Sequence, residues 1–250
     1  MRIDYRLFDP TGNTTLLVET PVDAARQAEA AARLLALEPA AEQVGFLCDA
    51  EDADIALRMA GGEFCGNATM CAAVCAAERA GQAGTFAVHV SGAEKPVRAA
   101  VALQPDGAWR GTVDMPRPEA IDRVMLPGVG TVSVVRFPGI SHVILEEPMP
   151  RPLAEQNARA WCGILGADAL GLMFLDRRSE RLTPLVYVPA VDTLCWETSC
   201  ASGTTAVGAY LSPVTITLHQ PGGSLTVKAD DTILRLTGTV RTGQRKNIEI

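Results

Sequence analysis

Two cysteines lie in turns whose composition suits proton transfer. Cys65 stands in the run Gly61-Gly62-Glu63-Phe64-Cys65-Gly66-Asn67-Ala68-Thr69, and Cys200 in Glu197-Thr198-Ser199-Cys200-Ala201-Ser202-Gly203-Thr204-Thr205. Each is followed by small residues and then by a stretch that reads as a helix. A helix N-terminus presents unpaired N–H groups and about half a positive charge. A thiol held there is expected to have its anion favoured and its pKa lowered, and a carboxylate can dock on the free N–H groups. Gly66, Ala68, Ala201 and Gly203 permit that approach. A pair of such turns suits a reaction that removes a proton from one face of a carbon and returns one to the other face. A thiolate and a thiol can do this and exchange roles when the reaction reverses, while backbone donors on a carboxylate take up the charge of the carbanion. Excluding water strengthens that stabilisation, so closure over a substrate is expected.

The other chemistry-bearing residues point less sharply. Neither a Cys-x-x-Cys nor a His-x-x-x-His spacing occurs, and His89, His142 and His219 are scattered, so a zinc site is not expected. Cys71 and Cys75, four apart on one helix, read as core. Cys195 and Glu63 have no assignment from sequence. His142 fits a hydrogen-bonded structural role or a role in tuning the titration of the cysteines.

The elements around these residues repeat. Residues 3–19 read as a strand, the turn Pro10 to Asn13, and a second strand. A helix follows from Asp23 to about Leu37, then strands at 44–48 and 53–59. The run CGNATMCAAVCAAERAG from Cys65 is a buried helix closed by Gly81. Strands follow at 84–91, 97–103 and 110–114, and the prolines at 116 and 118 mark a boundary. The second half has strands at 131–137, 142–146, 171–175 and 184–188, a helix over 152–165, the Cys200 turn with its helix, and strands at 214–219, 224–228 and 232–240. The cysteines lie 200 − 65 = 135 positions apart, about half of the 250 residues. This predicts a duplicated α+β unit.

The composition is that of a globular protein: 48% of residues are hydrophobic and 20% charged. A net charge of −7 leaves no basic excess to neutralise phosphates, so no nucleic-acid partner is expected. The cluster Arg177, Arg178, Arg181 reads as a solvated loop. Charges at Arg2, Asp4 and Arg6 interrupt any signal peptide, and no run of about 18 apolar residues predicts a membrane span. Seven cysteines, an odd number, fit reduced thiols in the cytoplasm better than a disulfide framework.

At these residues the chain resembles the diaminopimelate epimerase superfamily, which also includes proline racemase-like and phenazine-biosynthesis isomerase-like proteins. Cys65-Gly66-Asn67 matches the epimerase CGN motif, and Cys71 its later cysteine. Cys200-Ala201-Ser202-Gly203 resembles the second motif, usually Cys-Gly-Ser/Thr-Gly. Gly12-Asn13 looks like the Gly-Asn that contacts substrate, and Gly139 to His142 like the segment ending in a histidine near the active site. The resemblance implies an α+β fold of two pseudo-symmetric lobes, each a curved, barrel-like sheet around a central helix. It places residues 1–116 in the first lobe and 117–239 in the second, with strand 240–250 returning to the first. It further implies an amino-acid substrate held between the lobes and catalysis without pyridoxal phosphate or metal, with Cys65 and Cys200 as acid and base. Asn13, Gly66, Asn67, Ala201 and Ser202 would hold the amino and carboxylate groups. Members are often homodimers.

The departures bear on the substrate. Diaminopimelate epimerases carry a Glu-Arg pair shortly before the second cysteine, and the arginine binds the distal carboxylate. Here that region reads VDTLCWETSC, and no Arg or Lys occurs between Arg181 and Lys228. A buried carboxylate without such a partner costs several kcal/mol. Ala68 and Met70 replace the usual Gly and Arg, and Ile140 replaces a common Asn. The GGEFCGNATM form looks more like the histidine racemases of opine-metallophore pathways, with Glu197 or Asp192 bonding a cationic or polar side chain such as imidazole. The alternatives are diaminopimelate epimerase or a racemase of another amino acid, a phenazine-type isomerase (which generally uses a carboxylate and lacks the paired cysteines), and a non-catalytic amino-acid-binding protein.

Overall fold

The structure, a computed structural model, describes residues 2–249. Its elements are β1 (Arg2–Pro10), β2 (Thr15–Val18), α1 (Ala24–Leu37), β3 (Gln43–Cys48), β4 (Ile55–Met59), α2 (Gly66–Ala80), β5 (Gly84–Val90), β6 (Val97–Leu103) and β7 (Trp109–Asp114). There follow β8 (Ala120–Leu126), β9 (Gly130–Phe137), β10 (Ile140–Leu145), α3 (Arg151–Leu165), β11 (Leu170–Asp176), β12 (Arg181–Val188), β13 (Thr193–Trp196), α4 (Ala201–Leu211), β14 (Val214–Gln220), β15 (Gly223–Ala229) and β16 (Leu234–Glu249). The chain divides into two compact units. One runs to Asp114 and takes up the chain again from Thr237; the other is Met115–Leu236.

In the first unit the strands pair in the order β1-β2-β3-β4-β5-β6-β7-β16, and β16 pairs back onto β1. The sheet is therefore a closed ring of eight strands, which removes the free edges of an open sheet. Alternation sends Ile55, Leu57 and Met59 of β4, and Phe86, Val88 and Val90 of β5, to the buried face. They meet α2, whose residues Gly66–Ala77 are all buried. A helix enclosed on every side must be apolar and slim, which the run of Ala, Met, Cys and Val supplies. It ends at Gly81, in the left-handed region at φ 68, whose N–H donates to the carbonyls of Ala77 and Glu78. Helix α1 is amphipathic: it packs Ala30, Ala31 and Leu34 against Leu16, Val18, Val44 and Phe46.

The second unit repeats this plan. Its strands order β8-β9-β10-β11-β12-β14-β15, followed by the first residues of β16, with β13 paired to β12. Helix α4 packs on β9, β10, β11, β14 and β15. Helix α3 packs on β11 and β12, placing Ala154, Ala158 and Trp161 against Leu170, Leu172 and Leu185. Strand β11 is buried on both faces from Leu170 to Met173, as a strand between two helices must be. The pairing senses also repeat: β2–β3 and β10–β11 are parallel, as are β4–β5 and β12–β14. The fold is thus α+β, with two like lobes, each a curved sheet around a central helix.

Two strands escape the sequence reading. In β8, AIDRVML, every second residue is exposed, and the nearby prolines and the Asp122-Arg123 pair give it the look of a loop. Strand β13 has four residues, too short for a periodicity. The strands expected at 232–240 and 240–250 are one continuous strand, β16. Among the described residues no helix is long and apolar enough to cross a membrane.

Candidate active site

Cys65 is the N-cap of α2. Its backbone is extended (φ −130, ψ 108), and its Sγ accepts the N–H of Ala68 at 3.4 Å. The hydroxyl of Thr69 donates back to the Cys65 carbonyl at 2.7 Å. Gln43, at the start of β3, lies against the sulfur: Nε2 is 3.3 Å and Oε1 3.4 Å from Sγ. The same Nε2 donates to Asn13 Oδ1 at 2.6 Å and to Thr15 Oγ1 at 2.7 Å. Asn13 in turn donates to Glu42 Oε2 at 2.8 Å. The structure therefore brings Asn13, Gly66 and Asn67 to the Cys65 turn. Asn67 is 2% exposed, and its Oδ1 has no hydrogen-bond partner among the described residues. A buried acceptor left in this state carries a cost that a donor from a ligand removes.

Cys200 caps α4 in the same way. Its backbone is extended (φ −119, ψ 109), and Sγ accepts the N–H of Gly203 at 3.3 Å. Thr204 donates to the Cys200 carbonyl at 2.7 Å. Ser202 Oγ lies 3.5 Å from the sulfur, and the Glu197 carboxylate is hydrogen-bonded to it. In each unit the two residues after the cysteine occupy the first helical positions, whose N–H groups have no partner within the helix. These are Gly66 and Asn67 in one, Ala201 and Ser202 in the other.

One expectation is corrected here. A helix N-terminus was expected to lower the pKa of a thiol, and the Gly203 N–H and Ser202 do act in that direction on Cys200. Burial, followed by the charge and hydrogen bond of Glu197, outweighs them and pushes the Cys200 thiol well above its ordinary value. Desolvation of a fully buried thiolate exceeds what one backbone dipole returns.

The remaining candidates separate. Asp192 follows a 3-10 turn at Pro189–Val191, and Arg159 and Tyr187 bond its carboxylate. It is committed to that exposed pair, whereas Glu197 touches the thiol. His142 is fully buried, and neither ring nitrogen has a partner among the described residues. Burial pushes its pKa down to about 3, so the ring is neutral near physiological pH. Its ring stands edge-on to Phe137, 6.1 Å between centroids. Met173 packs against both Gly171, which faces His142, and Gly203 of the Cys200 turn. Cys71 and Cys75 are core residues. Cys195 lies exposed on β13 opposite Val186. Glu63 is exposed and accepts Ser91 through its backbone carbonyl.

Sequence reasoning missed Gln43 and Gln220, which come from separate strands and carry no motif. It also missed Thr69 and Thr204, for which a signal existed: each stands four residues after its cysteine.

Residues 2–243 match the family described as the histidine racemase CntK N-terminal domain. The chain belongs to this family. A histidine racemase of Staphylococcus aureus is 30% identical over 244 residues, spanning 90% of this chain and 88% of that one. A histidine racemase of Fusobacterium nucleatum is 29% identical over 223 residues, covering 84% and 81%. Among solved structures, a hydroxyproline epimerase of Agrobacterium vitis with bound trans-4-hydroxy-L-proline superposes with a TM-score of 0.71 at 13% identity, covering 99% of this chain and 92% of that one. That likeness shows a shared fold. As a member of the histidine racemase family the protein is an isomerase, a racemase.

Proposed function

We propose that the protein racemises histidine, with Cys65 and Cys200 as the acid/base pair and without pyridoxal phosphate. The observation that carries this reading is the recurrence of one arrangement in both units: a cysteine at the N-cap of the central helix, its sulfur bonded to the N–H three residues on. A thiolate takes the α-hydrogen of one enantiomer as a proton, and the electron pair passes into the carbon and its carboxylate. The opposite thiol gives its proton to the other face. The first cysteine ends as a thiol and the second as a thiolate, the state that the reverse reaction requires. Free first-turn N–H groups bind the carboxylate, whose charge grows as the proton leaves. Asn67 Oδ1 offers the substrate ammonium a buried acceptor.

Pyridoxal phosphate chemistry calls for a lysine in an enclosed site. The three lysines are Lys95, Lys228 and Lys246; all are exposed, and Lys246 pairs with Glu38. Histidine as substrate is supported by the named relatives and by the acid at Glu197, which suits an imidazole donor. The lack of any Arg or Lys from residue 182 to 227 speaks against a substrate with a distal carboxylate. Incubation with L-histidine in D₂O, followed by chiral chromatography and mass analysis, is expected to yield both enantiomers with deuterium at the α-carbon. Cys65→Ser and Cys200→Ser are expected to lose inversion by roughly a hundredfold to ten-thousandfold. No turnover of histidine with turnover of another amino acid rejects the substrate alone; parental rates in both serine variants reject the mechanism.

A further inference from the structure

Cys200 is held by more than its place in the helix. Its backbone N–H donates to Gln220 Oε1 at 2.8 Å. The amide of Gln220 donates from Nε2 to Thr204 Oγ1 at 2.9 Å, and that hydroxyl donates to the Cys200 carbonyl at 2.7 Å. Three hydrogen bonds thus form a closed loop through both backbone polar groups of one residue. Gln220 is 6% exposed and Thr204 fully buried, so little water competes. The loop is anchored from outside the helix. Gln220 ends β14 opposite Gly223 of β15, and in the same hairpin the Gly222 N–H donates to the Thr198 carbonyl at 2.7 Å. The segment entering Cys200 is therefore bound twice by one turn.

We propose that Gln220 and Thr204 are a positioning pair that fixes the backbone of Cys200, and thereby the direction of its sulfur, for proton transfer. The inference rests on Cys200 being one of the two acid/base thiols. Neither residue touches the sulfur in the contacts above. Their effect is to set the N-cap dihedrals from which the side chain projects, in a reaction whose rate depends steeply on donor–acceptor geometry. An N-cap residue has no helical hydrogen bond for its own N–H, and the Gln220 carbonyl oxygen supplies the partner. Thr204 makes one hydroxyl serve as acceptor for Gln220 and donor to Cys200, so loss of either residue opens the loop and leaves buried groups unpaired.

The test compares Thr204→Val, which keeps shape and removes the hydroxyl, with Thr204→Ser, which keeps the hydroxyl. Thr204→Val is expected to lower kcat about tenfold with KM changed less than about twofold, and Thr204→Ser to stay within about threefold of the parent. The solvent isotope effect is expected to rise only in the direction in which Cys200 delivers the proton, a selectivity that general destabilisation does not produce. Gln220→Met is read in the same way if Thr204→Val does not fold. Parental kcat in these variants, an equal loss in Thr204→Ser, or isotope effects raised equally in both directions overturns the inference. Cys200→Ser is the control: if it is inactive while Thr204→Val is unimpaired, only the positioning role falls. If Cys200→Ser racemises at the parental rate, the two-thiol reading falls and takes the inference with it.

Discussion

Gly171 faces His142 across the parallel pair β10–β11, and the imidazole fills the space that a side chain at 171 would need. A Cβ there would collide with Nδ1 of the ring and with the end of Met173. Gly171→Ala is therefore expected to destabilise the second unit by about 1–3 kcal/mol, the usual cost of overpacking a core. Chemical denaturation of the variant and its parent measures the difference. Equal midpoints with equal slopes would show that the ring has room to move.

The same histidine makes stability depend on acid. Its pKa falls from 6.5 to about 3 on folding because burial disfavours the imidazolium. Between those values the unfolded chain binds a proton that the folded chain does not, so stability falls as pH falls through this window. The contribution, complete above 6.5 and spent near 3, is on the order of a few kcal/mol. In His142→Leu, unfolding midpoints measured across the window are expected to vary less with pH than in the parent. An unchanged slope would mean that the ring is solvated in the native state.

Glu197 adds to the effect of burial on the Cys200 thiol. After burial, its charge is the next cause holding the thiol up. Glu197→Gln removes that charge, so the ionisation of Cys200 is expected to move to lower pH. Under the proposed two-thiol mechanism, the basic limb of kcat/KM moves down in the direction that needs Cys200 as thiol, and the acidic limb does in the opposite direction. Profiles for both enantiomers check this, and a shift to higher pH would contradict the geometry.

Thr11 holds a left-handed backbone at φ 59, a costly state for a β-branched residue. Its hydroxyl donates to the Thr239 carbonyl at 3.1 Å and accepts the Thr239 N–H at 3.0 Å, bonding both groups of the strand opposite. Thr11→Val keeps the strained backbone and loses both bonds. It is expected to cost about 1–3 kcal/mol, read by thermal unfolding. A neutral substitution would mean that water replaces the hydroxyl.

The two cysteine turns were legible because their chemistry and local structure coincide: small residues, a helix start and a thiol lie within a few positions. The central helices were legible for a similar reason, since runs of small, mostly apolar residues such as Met70 to Ala77 of α2 and Ala206 to Ala209 of α4 fit an enclosed helix. Gln43 and Gln220 were not, because each reaches its cysteine from a separate strand, 22 and 20 positions away, where it looks like any polar strand-end residue. The direction of the Cys200 pKa was misread because the helix end is visible in sequence while burial is not. Asp192 and Glu197 looked equivalent until the fold gave one to Arg159 and the other to the thiol.

The strand that closes the eight-membered ring of the first unit is made of residues 240–249, which pair with residues 2–10. During synthesis the opening strand leaves the ribosome more than two hundred residues ahead of its mate. Until then β1 pairs on one side only, with β2, and its other edge is open to any stray strand. The helix bearing Cys65 is thus fully enclosed only after Cys200 has already emerged, so a chain halted in the middle carries one of the two cap cysteines and no finished chamber to hold it.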